Sequence, residues 1–301
     1  MTGGAGFIGS WVVRVLLKKG YKVTVFDNLS TGHKELVPHG AKLVRGDIRR
    51  KDQLVKALRG HDAVIHLAAK TLVSESVKKP DQYFRTNLVG GLNVLEAMRE
   101  LGIKKIVHSS TAAVYGTPKR VPIKEDDPKF PINPYGATKL ALEAMMHTYH
   151  ANYGFDVTMF RYFNPFGPGE KHDPETHAVP NFIKATLTGK EIPLYWKGSQ
   201  RRDFFYVEDI AIAHVMGLKQ SGFHYYNLGS GQATRVIDLV KMIFDISGKR
   251  ADISDLGERP GDPPSLMAEI AKVKKELGWA PKTDLRIGLK KTINSFKGIA
   301  G

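Results

Sequence analysis

Cysteine is absent from all 301 residues. The chain therefore has neither a disulfide framework nor a thiolate that could act as a nucleophile or a metal ligand. Small disulfide-stapled secreted domains and cysteine-dependent enzymes are excluded as classes. The absence agrees with a cytoplasmic location, which we expect for this protein.

Long hydrophobic runs are also missing. The most apolar stretches, 63–69 and 154–161, have the length of a β-strand, whereas a membrane-spanning helix needs about 20 apolar residues. No basic segment followed by an apolar stretch marks a secretory signal. We therefore expect neither a membrane partner nor export.

Dense charge clusters are rare, although the formal net charge is +15. The longest concentrated stretch holds only Arg45, Arg49, Arg50 and Lys51. A scattered excess of this kind is typical of a solvated basic surface, so no nucleic-acid partner is predicted. The nucleic-acid alternative would require salt-sensitive retention on DNA. The histidines show no metal-ligand spacing, and no metal site is predicted.

Short β-branched runs alternate with helical patterns as far as about residue 163. The predicted strands are 22–26, 42–44, 63–67, 105–108 and 156–161, and the predicted helices are 8–19, 51–59, 80–101 and 136–153. Such alternation predicts an α/β fold, a Rossmann-type doubly wound parallel sheet with helices on both faces. We place this domain at 1–165 and a smaller mixed α/β lobe at 166–301, with parts of 203–230 packing back on the first domain.

The first strand of such a sheet is nearly missing, because only Met1 and Thr2 precede the first glycine turn. Removing a buried central strand would leave neighbouring backbone groups unpaired. We therefore expect that the start of the chain has been assigned too late. A chain that lacks most of this strand is the alternative.

A glycine-rich turn follows at once, with Gly3, Gly6 and Gly9 spaced by three residues before a predicted helix. Glycine permits the tight turn and a close approach of the backbone to a pyrophosphate, which the helix N-terminus attracts. Asp27 ends the next strand, 18 residues after Gly9. A carboxylate there binds the ribose hydroxyls and repels a 2′-phosphate, so NAD is favoured over NADP.

A second constellation combines Tyr135 and Lys139 with the hydroxyls of Ser109 and Thr111. The first two lie four residues apart on a helix and so share one face. Ser109 and Thr111 follow a predicted strand at its carboxyl end, where open α/β sheets bind ligands. An ammonium and a positively charged nicotinamide would lower the pKa of the phenol towards neutral pH, as a general base requires.

These motifs recur together over nearly the whole chain, and by them it resembles the extended short-chain dehydrogenase/reductase (NAD-dependent epimerase/dehydratase) family. The segments that carry the resemblance are Thr2-Gly-Gly-Ala-Gly-Phe-Ile-Gly9, Phe26-Asp-Asn-Leu-Ser30, Gly46-Asp-Ile48, His66-Leu-Ala-Ala69, Ser109-Ser-Thr-Ala-Ala-Val-Tyr-Gly116, Pro134-Tyr-Gly-Ala-Thr-Lys139, Arg161-Tyr-Phe-Asn164, Arg202-Asp203, Asn227-Leu-Gly-Ser-Gly231 and Arg259-Pro-Gly-Asp262. The resemblance implies a tightly held NAD and a UDP-sugar substrate.

The resemblance also implies roles for individual residues. Tyr135 is the expected base, Thr111 its hydroxyl partner and Lys139 the residue that binds the nicotinamide ribose. The implied cofactor site comprises Gly3, Gly6, Phe7, Ile8, Gly9, Asp27, Asn28, Asp47, Ile48, Leu67, Ala68, Ala69, Lys70, Asn87, Ser109, Tyr135, Lys139 and Tyr162. The implied substrate site comprises Thr111, Tyr135, Asn164, Asn181, Arg202, Arg259, Asp262 and Leu266.

The activity implied is inversion at C4 of a UDP-hexose, which interconverts UDP-glucose and UDP-galactose by transient oxidation. Dehydratases and decarboxylases of the family carry a carboxylate where this chain has Ala112 and Ala113, and alanine cannot transfer a proton. Leu266 stands where the family gates C2 substituents, so UDP-GlcNAc or UDP-GalNAc remain alternative substrates, as do UDP-pentoses and dTDP- or GDP-hexoses. A non-catalytic dinucleotide sensor is the remote alternative. The resemblance further implies a homodimer formed through helices 80–101 and 136–153.

Overall fold

The computed structural model describes residues 1–170, 177–258 and 263–297. Its strands are β1 (Thr24–Asp27), β2 (Lys42–Arg45), β3 (Ala63–His66), β4 (Lys105–Thr111), β5 (Asp156–Tyr162), β6 (Asn164–Phe166), β7 (Ile192–Leu194), β8 (Arg201–Arg202), β9 (Phe204–Tyr206), β10 (Phe223–Leu228), β11 (Thr234–Arg235), β12 (Ile253–Asp255) and β13 (Ser265–Leu266). The helices are α1 (Phe7–Lys18), α2 (Lys51–Leu58), α3 (Val73–Lys78), α4 (Pro80–Tyr83), α5 (Gly90–Glu100), α6 (Pro134–Tyr153), α7 (Ala178–Thr188), α8 (Val207–Gly217), α9 (Val236–Ser247), α10 (Ala271–Leu277) and α11 (Leu285–Lys297).

The main sheet is parallel, with β1 paired to β2 on one side and β3, β4, β5 and β10 paired in that order on the other. Thr2 bridges the two halves, because it pairs with Phe26 of β1 and with His66 of β3. Its amide donates to the carbonyl oxygen of Ile65 at 2.9 Å, and its own carbonyl accepts from Leu67 at 3.1 Å. Met1 and Thr2 thus lie where a doubly wound sheet has its first strand.

Both faces of this sheet are buried, as the Rossmann-type prediction requires. On β4, Val107 packs into one apolar cluster with α1 and α8, whereas its neighbour Ile106 packs into another with α2, α5 and α6. Successive strand residues point to opposite faces, so one apolar strand contributes to two cores. The α/β fold predicted from the sequence is confirmed.

The C-terminal part of the chain contributes to two regions. Residues of α7, α9, α11 and β9 form a third apolar cluster around Phe166, Leu239 and Leu289. Segment 203–230 contains α8, which packs against α1, and β10, which pairs with β5 at the end of the main sheet. Parts of this segment therefore pack on elements of residues 1–165.

The single helix predicted over 80–101 is wrong in its middle. A π-helical turn, Phe84–Val89, separates α4 from α5, and π-helical turns are frequent at functional sites. Within that turn the Asn87 side chain is directed inward, where it accepts from the Lys70 amide at 2.8 Å and donates to the Lys70 carbonyl at 3.0 Å. Apolar spacing does not reveal such a turn, because a side chain's hydrogen-bond partner is not visible in it.

No helix within the described ranges has both the length and the apolar character needed to cross a membrane.

Candidate active site

A cleft of about 1040 Å³ opens at the carboxyl edge of the main sheet. Eighteen of the residues predicted for cofactor or substrate line it: Gly3, Gly6, Phe7, Ile8, Gly9, Asp27, Asn28, Ile48, Leu67, Ala68, Ala69, Lys70, Ser109, Thr111, Tyr135, Lys139, Tyr162 and Asn164. These residues come from seven separate segments of the chain. The fold therefore gathers most of the predicted site in one cavity large enough for a dinucleotide.

The glycine turn packs so closely that two of its members have no room for a side chain. A Cβ on Gly9 would lie 2.0 Å from the Gly3 carbonyl oxygen, and one on Gly3 would lie 2.5 Å from the Ala68 nitrogen. A Cβ on Gly6 would have an ordinary contact of 3.4 Å. Gly6 is the N-cap of α1 and has no side chain to cap it. The amides of the first turn of α1 are thus exposed to the cleft, which suits a pyrophosphate.

Asp27 ends β1 and is held rigidly at the edge of the cleft. Its Oδ2 accepts from the Ala5 amide at 3.0 Å, and its Oδ1 accepts from the Leu29 amide at 2.9 Å. Leu29 adopts a positive φ of 59° in this turn. The carboxylate therefore links the glycine turn to the end of β1, where the sequence predicts that it binds a ribose.

Helix α6 places Tyr135 and Lys139 on the same wall of the cleft. Asn133 caps the helix by accepting from the Gly136 amide at 2.8 Å, and Pro134 occupies the first turn. These are favoured residues at a helix start. The Lys139 ammonium donates to the Ser109 carbonyl at 2.7 Å, so α6 is attached to the end of β4.

Burial shifts the pKa values of these two groups in opposite directions, away from each other. Burial raises the pKa of the Tyr135 phenol to about 12, and its hydrogen bond with Thr111 acts in the opposite direction. Burial lowers the pKa of the Lys139 ammonium to about 7, against the raising effect of the Glu143 carboxylate. The sequence-based expectation of a lowered phenol pKa includes the positive charge of a bound nicotinamide, and in the protein alone burial raises this pKa instead.

Two predicted cofactor residues are not part of the lining but bond to residues that are. Asn87 is 1% exposed and its amide holds the Lys70 backbone. Asp47 binds Arg49 at 2.7 Å and accepts from Asn28 at 3.2 Å, and the hydrogen bond with Arg49 lowers the pKa of Asp47 to about 2. The Lys70 ammonium is paired with Glu75 at 3.1 Å.

Three predicted substrate residues lie away from the lining that the described residues form. Asn181 is on α7, and Arg202 and Leu266 are paired across β8 and β13. Arg202 is 9% exposed and donates to the Arg201 carbonyl at 2.8 Å. Arg259 and Asp262 fall outside the described residues.

Sequence reasoning missed a buried acidic residue and its partner in the cleft. Glu170 is 1% exposed, and its Oε1 lies 2.7 Å from Nδ1 of His177. Both residues line the cavity, as Asn164 and Ala178 do. Their positions after β6 and directly before α7 are a signal that the sequence offered, because binding residues concentrate beyond the carboxyl ends of parallel strands. His66, by contrast, is 1% exposed and packs in the core.

No cluster of three or more His, Asp or Glu side chains that could hold a metal ion occurs among residues 1–170, 177–258 and 263–297.

Comparisons with known proteins agree with this geometry. A model of the NAD dependent epimerase/dehydratase family matches residues 1–229. The chain is 41% identical to a UDP-glucose 4-epimerase of Corynebacterium glutamicum, over 95% of this chain and 92% of that protein. A UDP-glucose 4-epimerase of Thermotoga maritima, solved with UDP-glucose, is 34% identical with a TM-score of 0.96, covering 100% of this chain and 98% of that one. The enzyme from Brucella ovis, solved with NAD, is 37% identical with a TM-score of 0.94, covering 98% and 97%.

Proposed function

Because the chain belongs to the NAD-dependent epimerase/dehydratase family, we propose that it is an isomerase that uses NAD to interconvert UDP-glucose and UDP-galactose. The observation that carries this proposal is the convergence of Tyr135, Lys139 and Thr111 with the glycine turn in one cleft. Its relatives from Corynebacterium and Thermotoga carry the same activity in their names. A non-catalytic dinucleotide sensor would have no use for this set of side chains.

The chain's own residues fit the proposed cofactor. The glycine turn and the start of α1 would receive the pyrophosphate, and Asp27 would accept hydrogen bonds from the adenosine ribose. Lys139, which already donates to Ser109, would hold the nicotinamide ribose. When bound, NAD supplies a hydride acceptor at the sugar carbon and a positive ring charge next to the Tyr135 phenol.

Proton transfer at the C4 hydroxyl would fall to Tyr135. Its pKa of about 12 in the protein alone keeps the phenol protonated at neutral pH, so the positive charge of the bound complex has to favour the phenolate. Thr111, hydrogen-bonded to Tyr135, would orient the hydroxyl. Tyr135 would return the proton when the C4 hydroxyl re-forms in the opposite configuration.

The residues next to Thr111 favour epimerisation over elimination. Ala112 and Ala113 follow Thr111 directly and carry no proton-transfer group. A chain with one proton-transfer residue and a redox cofactor is suited to reversible oxidation at a single carbon. We assign the UDP moiety to Asn164, Asn181, Arg202, Arg259 and Asp262, since guanidinium groups suit a diphosphate, and the C2 side of the sugar to Leu266.

The test is to incubate the purified protein with UDP-galactose without adding NAD and to follow the formation of UDP-glucose. Conversion would support both the reaction and a cofactor that stays bound. Conversion only after NAD is added would keep the reaction and indicate a weak cofactor site. Turnover of UDP-GlcNAc, a UDP-pentose or a dTDP- or GDP-hexose in place of UDP-galactose would contradict the proposed substrate and keep the reaction type.

We also propose that the protein acts as a homodimer in the cytoplasm. Three apolar side chains on the helices expected at the dimer interface are exposed: Phe84 by 41%, Val89 by 48% and Tyr153 by 45%. An apolar set of this kind is typical of an interface. Light scattering on the purified protein should give about twice the 33.4 kDa mass of one chain, and a Val89→Glu variant should give the mass of a monomer.

A further inference from the structure

A buried polar network begins directly behind the proposed catalytic residues. Glu143 lies one helical turn after Lys139 on α6, and Ser110 lies between Ser109 and Thr111 on β4. Ser110 donates to the Glu143 carboxylate at 2.5 Å. Arg161 of β5 donates to both oxygens of the same carboxylate, at 2.9 Å and 2.6 Å. One carboxylate therefore joins the end of β4, which carries Ser109 and Thr111, to β5 and to helix α6, which carries Tyr135 and Lys139.

The network continues through the hydroxyl of Tyr115, which is 2% exposed. The remaining Arg161 nitrogen, Nη1, donates to this hydroxyl at 2.8 Å. Because a guanidinium can only donate, the Tyr115 oxygen must accept, and its own hydrogen points to Asn227 Oδ1 at 2.7 Å. The direction of both hydrogen bonds is thus fixed by chemistry.

The other end of the network reaches the segment that follows Leu266. Asn227 Nδ2 donates to the Ile123 carbonyl at 2.9 Å. The Ile123 amide donates to the Met267 carbonyl, and the Ile123 carbonyl accepts from the Glu269 amide, both at 2.8 Å. Asp203, beside Arg202, accepts from the Ala268 amide at 3.0 Å. The segment is therefore held from two sides and continues directly from β13, which pairs with Arg202.

We propose that Tyr115 is a positioning residue whose hydroxyl aligns the substrate-binding segment around Leu266 with the proposed catalytic residues at the ends of β4 and α6. The inference rests on the proposed function, since it assumes that the UDP moiety and the hexose contact opposite ends of this network. Tyr115 joins the Arg161–Glu143 pair on the catalytic side to the Asn227 side chain on the substrate side. Glu125 forms a second path, because its carbonyl accepts from Arg161 Nη1 at 2.8 Å and its carboxylate accepts from the Asn227 amide at 2.9 Å. Loss of the Tyr115 hydroxyl should therefore leave both halves formed and joined through Glu125, but without the alignment that the Asn227 side chain provides.

The decisive variant is Tyr115→Phe, which keeps the ring and removes only the shared oxygen. We expect kcat to fall about tenfold, the range of a lost transition-state alignment. The affinity for UDP, measured by calorimetry, and the content of bound NAD should stay within about twofold, because Tyr115 is not among the described residues that line the cleft. Asn227→Leu, a change of similar size on the other side of the oxygen, should show the same split.

Tyr226→Phe is the matched control. Tyr226 is also fully buried and also loses one hydroxyl, but this hydroxyl lies 3.2 Å from His224 Nδ1 and outside the network. The control should keep the wild-type kcat at a comparable Tm.

The outcomes separate the two proposals. If the wild-type protein epimerises no nucleotide sugar, the proposed function fails. If the wild type is active and Tyr115→Phe matches Tyr226→Phe in kcat, the positioning role is overturned. A parallel loss of UDP affinity, NAD content and kcat in Tyr115→Phe would also overturn it, since the hydroxyl would then support the whole fold.

Discussion

At the scale of single residues, the proposed chemistry depends on the environment of the Tyr135 hydroxyl. Burial raises its pKa to about 12, whereas burial lowers that of Lys139 to about 7. The protein therefore buries a neutral phenol on the same helix as an ammonium that loses its proton readily. One additional positive charge near these buried groups would change their pKa values strongly. Glu143 beneath Lys139 limits the loss of its proton.

Replacing Tyr135 with Phe should lower kcat by about three orders of magnitude or more, because it removes the group that exchanges the C4 proton. UDP affinity and bound NAD should be retained. Tyr153→Phe is the matched control, since Tyr153 lies at the far end of the same helix and is 45% exposed. Epimerase assays on both variants check this, and full activity in Tyr135→Phe would remove it from the mechanism.

Two substitutions in the glycine turn can distinguish an effect on folding from an effect on cofactor binding. Gly6→Ala adds a Cβ that meets its nearest neighbour at 3.4 Å, whereas Gly9→Ala places one 2.0 Å from the Gly3 oxygen. We expect Gly6→Ala to keep the wild-type Tm of the cofactor-free protein but to lose bound NAD, and Gly9→Ala to lower the Tm itself. Thermal melts and NAD content measure both. A Gly6→Ala protein with full NAD content would argue against a pyrophosphate at this turn.

Most of the predicted site residues came from short local motifs. The residues that were not predicted depend on contacts between parts of the chain that are far apart in sequence. The glycine turn, Asp27, and the pair Tyr135 and Lys139 each lie within a short stretch whose type of element is clear from the sequence. Tyr115 and Asn227, in contrast, meet across 112 residues, and no spacing reveals such a contact. Glu170 is acidic in a polar loop, and only the fold buries it.

At the scale of elements, helix α6 sets the position of the catalytic pair, and its start depends on one cap. Asn133 accepts from the Gly136 amide at 2.8 Å, two residues before Tyr135. Asn133→Ala should lower the free energy of unfolding by about 1 kcal/mol and reduce kcat more than it changes UDP affinity. Asn133→Asp keeps an accepting oxygen and should restore both. Urea unfolding and steady-state kinetics test this. Equal free energies of unfolding and equal kcat values for Asn133→Ala and Asn133→Asp would contradict a role for the Asn133 cap.

The elements of the first domain were largely predictable because their apolar periods are strong. The five predicted strands match β1 to β5 within a few residues, and the structure extends β4 from 108 to Thr111. Helix α3 and the π-helical turn were not predicted. The first is a single short amphipathic stretch, and the second depends on the hydrogen bonds of Asn87 with the Lys70 backbone.

At the scale of the whole molecule, three buried histidines make stability sensitive to acid. His66, His108 and His214 are at most 1% exposed. Burial lowers the pKa of His66 to about 3 and that of His214 to about 4, and it holds that of His108 well below 6.5. The folded protein therefore keeps all three neutral at pH values where the unfolded chain binds protons.

The sign of the effect follows from linkage. As the pH falls below 6.5, the unfolded chain gains protons that the folded chain does not, so the free energy of unfolding should decrease by up to about 1.4 kcal/mol per pH unit for each histidine. Urea unfolding between pH 6.5 and about pH 5 measures the slope. His214→Asn should reduce it, and the exposed His39→Gln should leave it unchanged. A flat profile would contradict the neutral buried histidines.

The central claim is that C4 is inverted by removal and return of the same hydride within one cleft. The most direct measurement uses UDP-galactose that carries deuterium at C4, with the purified protein and no added NAD. The account predicts UDP-glucose that retains the deuterium at C4. Formation of UDP-glucose with the deuterium lost to water, or no conversion with added NAD either, would contradict it.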